Sequence, residues 1–191
     1  MKHLFKSFVG VAALAFSVHA TTIMQTYSGS LPFTIAGTLP NQNSVLEETF
    51  TLTGPSTILI STASYRTGGF QTNLQLYDAA GNFITASMPG GAPDASTGLI
   101  GDSLLFSPTL AAGTYIVALT DWLLTQTLGA TNLSDGFTFN LGDGTFVDAN
   151  GNMRTGAYEL TVQATPEPAT VWIAAPVLAL FAIRARKLGR S

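Results

Sequence analysis

Residues 111–122, AAGTYIVALTDW, hold the clearest strand pattern in the chain. Tyr115, Val117 and Leu119 fall on one face, and Ile116, Ala118 and Thr120 on the other. Gly113 precedes them, and no charge appears before Asp121. A period of two in β-branched and apolar residues predicts a β-strand.

Working outward, the same period recurs. Leu46, Phe50 and Leu52 alternate with Glu47, Thr49, Thr51 and Thr53. The stretch GPSTILISTASY follows a Gly54-Pro55 turn and puts Ile58 and Ile60 on one face. In NLQLYDAAGNFITAS, Leu74 and Leu76 alternate with Gln75 and Tyr77, and Gly81-Asn82 supplies a hairpin turn. Downstream lie Phe137 and Phe139, then Tyr158, Leu160 and Val162 alternating with Glu159, Thr161 and Gln163. No convincing amphipathic helix interrupts the series, and no exact internal repeat is visible. Short strands without helices predict an all-β antiparallel β-sandwich or jelly roll over residues 21–164. Residues 88–103, MPGGAPDASTGLIGDS, are too rich in Gly and Pro for regular structure and form a long loop, either an ordered functional one or an excursion.

The two ends differ from this body. Residues 1–20 carry Lys2 and Lys6, an apolar run from Phe8 to Val18 and small residues at Val18 and Ala20. This is the form of a secretory signal peptide cleaved after Ala20. Residues 165–191 carry Pro166-Glu167-Pro168, an uncharged run and then Arg184, Arg186, Lys187 and Arg190. As a helix, residues 169–183 reach about 22 Å, short of the roughly 30 Å hydrocarbon core. Arg184, Arg186 and Lys187 extend that reach by snorkelling, Trp172 suits the opposite interface, and the basic end satisfies the positive-inside rule. A single C-terminal transmembrane helix is therefore expected, with a cytoplasmic basic tail.

Six of the eight Lys and Arg lie in these ends, so residues 21–168 hold 2 basic and 11 acidic side chains, a net charge of −9. Such a body has no means of displacing counterions from nucleic acid. Cleavage after Ala20 removes His3 and His19, and the chain has no Cys. That excludes histidine-based triads, Cys-His nucleophiles and His or Cys zinc sites from the body. Carboxylate chemistry, as in glycoside hydrolysis, is the enzymatic alternative left, and the acids do not single out a pair.

Asp148, Asn150 and Asn152 place oxygens at alternate positions around Gly151, a spacing used by calcium loops, although the glycine and the bidentate glutamate of an EF-hand are missing. The same residues are those of an ordinary turn, which is the favoured reading. Asp94 and Asp102 flank the Gly-rich loop, and a sandwich rim would gather them with Asp121. Calcium is the one metal considered, at Asp94, Asp102, Asp148 and Asn150, and no other cofactor is expected. Trp122, Leu123 and Leu124 break alternation, as a plug at the sandwich end or as an aromatic platform for a sugar ring or a partner. Asn132-Leu133-Ser134 fits a glycosylation sequon by chance. Arg66 and Arg154 are the body's two cations, and Arg154 is expected to pair with a carboxylate.

The order of Pro166-Glu167-Pro168, apolar run and Arg-rich end, on a chain with a signal peptide, resembles the PEP-CTERM sorting signal of exosortase substrates in Gram-negative bacteria. The stretches GGFQTNLQLYDAAGNFI, DASTGLIGDSLLFSPTLAAGTYIVALT and DGTFVDANGNMRTGAYELTV together resemble a PEP-CTERM family whose body is similar to the bacterial pre-peptidase C-terminal β-sandwich. Where those relatives tend to have Asp after Gly-Gly-Phe, this chain has Gln71. The resemblance implies signal peptidase and exosortase as processing partners, cutting near Pro166–Pro168, and release to the outer surface beside exopolysaccharide. The expected function is a non-catalytic surface or biofilm-matrix protein that binds or adheres. The alternatives are a carboxylate-based glycan-active enzyme and a permanently anchored bitopic membrane protein.

Overall fold

The computed structural model describes residues 21–87, 90, 93, 98–126, 131–139 and 144–166. In chain order the strands are β1 (Thr21–Thr26), β2 (Phe33–Thr38), β3 (Ser44–Leu52), β4 (Ser56–Thr62), β5 (Thr72–Asp78), β6 (Phe83–Ser87), β7 (Leu104–Phe106), β8 (Gly113–Asp121), β9 (Leu124–Gln126), β10 (Phe137–Phe139) and β11 (Ala157–Pro166). Two 3₁₀ turns, Tyr65–Thr67 and Leu133–Asp135, complete the regular structure of the described residues.

Two sheets stack to form a sandwich, one ordered β1-β3-β8-β5-β6 and the other β2-β11-β4-β7. Their facing sides interleave Leu46, Phe50, Leu74, Leu76, Val117 and Leu119 with Phe33, Ile58, Ile60, Leu105, Leu160 and Val162. Full burial of such a side chain stabilises by roughly 1.5–3 kcal/mol. The 111–122 stretch is the middle strand of the larger sheet, antiparallel to β3 and to β5. Its second face is also covered. Ala118 joins Val45, Tyr77 and Leu124 in a smaller cluster with Ile116, Leu133 and Phe137, beneath the β9–β10 pair. The absence of charge from Tyr115 to Thr120 thus reflects burial on both sides.

Among the described strands the structure departs from a purely antiparallel sandwich where β1 pairs with β3 in parallel. The chain crosses to the second sheet as β2 between them, and such a crossover brings the next strand back in the same direction. The hairpin predicted at Gly81-Asn82 turns slightly earlier. Asp78 Oδ1 accepts the amides of Ala80 and Asn82, each at 2.9 Å, and Gly81 adopts φ +80°. At one open side of the sandwich Ser87 Oγ on β6 donates to Leu104 O on β7 at 2.5 Å. The expected signal peptide with Ala20 lies outside the described residues, as does the tail from Glu167 onward. Among the described residues no helix is long and apolar enough to cross a membrane.

Candidate functional site

The chemistry-bearing side chains collect at the end of the sandwich where β4 and β8 finish and β5, β7 and β11 begin. Tyr65 stands at the middle of it. The Ser64 and Tyr65 amides donate to Asp102 Oδ1 at 2.9 and 3.2 Å, which fixes the start of the 3₁₀ turn. Gly68 closes it with φ +96°, a left-handed conformation natural to glycine. The Tyr65 ring lies against Gly101, where any Cβ would collide with it. On the ring's other surroundings, the Arg154 guanidinium sits 3.8 Å from the centroid. Arg154 Nε donates to Gly69 O at 2.9 Å and its Nη2 donates to Tyr65 O. The expectation of a carboxylate partner for Arg154 is therefore corrected: the guanidinium closes the turn through main-chain carbonyls and an aromatic face.

At the far end of the same tyrosine, its hydroxyl donates to Asp148 Oδ2 at 3.1 Å. Asp148 is the hub of the VDANGN turn. Its Oδ1 accepts the amides of Asn150 and Asn152 at 3.0 and 2.9 Å, and Asn152 Nδ2 donates to both carboxylate oxygens. Gly151, at φ +80°, donates its amide to Asp148 O at 2.8 Å. Burial pushes the Asp148 carboxyl up, but the bonds from Asn152, Asn150 and Tyr65 outweigh it and hold the group below the ordinary carboxylate range. The donors that neutralise this carboxylate are N–H and O–H groups of the chain itself, as the turn reading of the motif requires. Asp102 and Asp148 grip opposite ends of one tyrosine and do not converge. Among the described residues no three His, Cys, Asp or Glu are placed to hold a metal. Asn150 is exposed on the same turn, and Asp94 lies outside the described residues.

Gln71 locks the two loops together. Its Nε2 donates to Ile100 O at 3.1 Å and its Oε1 accepts Ala149 N at 2.8 Å. An ionised aspartate there would be shorter and unable to donate, so the difference from the resembled family is matched to this arrangement. Next to Gln71, Asp121 is fully buried, facing inward beside its ladder partner Thr72. Its Oδ1 accepts Leu123 N at 3.0 Å and its Oδ2 has no partner. Burial pushes this carboxyl up to about 7, opposed only by the Leu123 amide. Glu48, inward on β3, is also raised by burial, with Tyr27 N opposing, and keeps Oε2 without a partner. Sequence periodicity misses Glu48, since it occupies a position between Leu46 and Phe50 that alternation reserves for the core. Of the sorting-motif residues, Pro166 is the last residue of β11, paired with Ser56. Glu167, Pro168, Arg184, Arg186 and Lys187 lie outside the described residues. Asn132 of the sequon accepts Ser134 N and caps the second 3₁₀ turn.

No family model and no curated protein matches the chain. Among solved structures it is similar to the pre-peptidase C-terminal domain of a collagenase from Bacillus anthracis, at 17% identity and a TM-score of 0.41, covering 76% of this chain and 95% of that one. It is also similar to PliG, a periplasmic inhibitor of g-type lysozyme from Aeromonas hydrophila, at 10% identity and a TM-score of 0.43, covering 76% and 98%. A mutant of the Escherichia coli PliG matches at 9% identity and 0.37, covering 76% and 100%. Likenesses of this order carry no functional inference.

Proposed function

We propose that this chain is an exported, non-catalytic β-sandwich, sorted by an exosortase through its tail to the cell surface, where it binds exopolysaccharide. The observation that carries the non-catalytic part is the placement of the carboxyls. Glu48 pairs with Val117, and Asp121 lies four residues further along β8 on the same inner face. Both are sealed inside the sandwich, at 2% and 0% exposed, away from any glycosidic bond that a glycosidase pair must flank. Asp102 is engaged by the Ser64 and Tyr65 amides, and Asp148 by amides of its own turn. What remains is a rigid, acidic surface without the histidine or cysteine of the commoner hydrolytic sites.

Export and sorting rest on the two ends of the sequence and on their resemblance to a signal peptide and a PEP-CTERM tail. Expression of the full chain, and of a chain ending at Pro166, in an exosortase-bearing host tests both parts. Surface delivery of the full chain alone, its recovery with exopolysaccharide, and no product from a glycan panel are expected. Surface delivery without the tail, or turnover lost on replacing one Asp, would overturn the reading.

A further inference from the structure

Alternation along β5 sends Leu74 and Leu76 into the sandwich core, and so turns Asn73, Gln75 and Tyr77 to the opposite face. Gln71, Asn73 and Gln75 are nevertheless only 5%, 3% and 3% exposed. A buried row of amides is unusual, because burial of a polar group is unfavourable unless every hydrogen bond is made. Gln71 is satisfied on both amide atoms, and Gln75 Oε1 accepts the Tyr77 hydroxyl. Asn73 differs, for its Oδ1 is buried without a partner.

Two further unused atoms belong to the same face. The Trp122 amide donates to Gln71 O at 3.0 Å, continuing the β5–β8 ladder, so its side chain follows Thr120 and Ala118 outward. The residue is half-buried, yet its indole Nε1 is buried with no partner. Asn43, two residues before the outward-facing Val45, also has a buried Oδ1 with no partner. Thr120 contributes nothing free, as its hydroxyl donates to Leu124 O at 2.8 Å. One unused donor and two unused acceptors thus share the end of one face, at a residue, Trp122, that is not fully buried.

Buried polar atoms are almost always satisfied in a native protein, so a cluster with both hydrogen-bonding senses marks the place of a guest that supplies both. A hydroxyl group does this, donating once and accepting twice. The geometry points to a binding site for a sugar unit at this end of the outer face. One hydroxyl donates to Asn73 Oδ1 or Asn43 Oδ1 and accepts from Trp122 Nε1, and the ring lies against the half-buried Trp122. The inference rests on the polysaccharide-binding reading above and gives that binding a location.

The test uses the full chain in detergent with Trp172→Phe, which leaves Trp122 as the sole tryptophan of the two in the sequence. Cellotetraose, mannotetraose, chitotetraose and the host's exopolysaccharide are titrated by indole fluorescence and calorimetry. At least one is expected to shift the Trp122 emission, with affinity falling tenfold or more in both Trp122→Phe and Asn73→Leu. Asn73→Leu is also expected to raise Tm, since it replaces an unsatisfied amide by an apolar side chain of similar size. A lower Tm would mean that Asn73 is satisfied by resident water or by structure, and would overturn the site. Binding unchanged in both variants would overturn the site while leaving polysaccharide binding intact. Failure of the unsubstituted chain to bind any of the four would remove both.

Discussion

Asp121 and Asp148 are the same residue type with opposite linkage to folding. Asp121 is buried with one bare oxygen and is pushed up to about 7, whereas Asp148 is ringed by donors and held low. For Asp121, the unfolded chain ionises near pH 3.9 while the folded chain stays protonated until about pH 7. Its stabilising effect is therefore complete below pH 3.9 and declines as pH rises to about 7, at up to about 1.4 kcal/mol per pH unit. Glu48, also raised by burial, acts with the same sign. Asp148 works in reverse: its contribution is present above its unfolded pKa and is lost as pH falls through its lower folded value. Urea midpoints measured from pH 4 to 8 should fall and then level off, and Asp121→Asn should flatten the decline. A wild-type midpoint that climbs through this window would show that Asp121 is ionised in the fold.

At the scale of elements, the 3₁₀ turn Tyr65–Thr67 is held by three groups from two distant segments: Asp102, and Asp148 with Arg154. Gly101 is the position that lets Tyr65 lie down between them. Gly101→Ala should therefore displace the ring and lose several contacts together, lowering stability by about 2–3 kcal/mol, in line with overpacked cores. Tyr65→Phe keeps the packing and removes one bond to a carboxylate, so a smaller loss of about 1.5 kcal/mol is expected from urea denaturation. Equal losses would mean that the ring's position does not depend on Gly101. Asp102, Asp148 and Arg154 stood out in the sequence, but their gathering around Tyr65 was not legible there. Tyr65 and Arg154 stand 89 residues apart, and their meeting depends on where the strands end. The strands themselves were partly legible. The middle strands β3, β5, β8 and β11 are long enough to show a period of two. The three-residue β7 and β9 are too short to do so, β1 at a sheet edge is polar at most positions, and β2 carries its alternation only through Phe33, Thr34 and Ile35 before Ala36 and Gly37. The parallel pairing of β1 is a property of the crossover and has no local signature.

For the molecule as a whole, the important junction is the one between sandwich and tail. β11 is flanked by β2 along Ala157–Val162 and by β4 along Leu160–Pro166, so one strand joins both neighbours of the smaller sheet. The ladder continues through Thr165 and Pro166, paired with Thr57 and Ser56, two residues past the boundary drawn at 164 from composition. Composition marks Pro-Glu-Pro as tail because proline ends most strands. Here the first proline is the last rung and has no later ladder bond to break. A chain ending at Pro166 retains every rung and should melt with the full-length chain. A chain ending at Gln163 loses the rungs of Ala164, Thr165 and Pro166. With a net contribution of about 1 kcal/mol per hydrogen bond, it should lose about 1–3 kcal/mol. Processing is constrained by the same geometry. A protease acting on the folded protein meets an open backbone only beyond the ladder, because strand residues must leave the sheet before they can be cleaved. Intact-mass measurement of the surface form should therefore place its C-terminus at Pro166 or later. A terminus upstream of Ala164 would mean that cleavage precedes folding of β11, and the order of export, folding and release would have to be reversed.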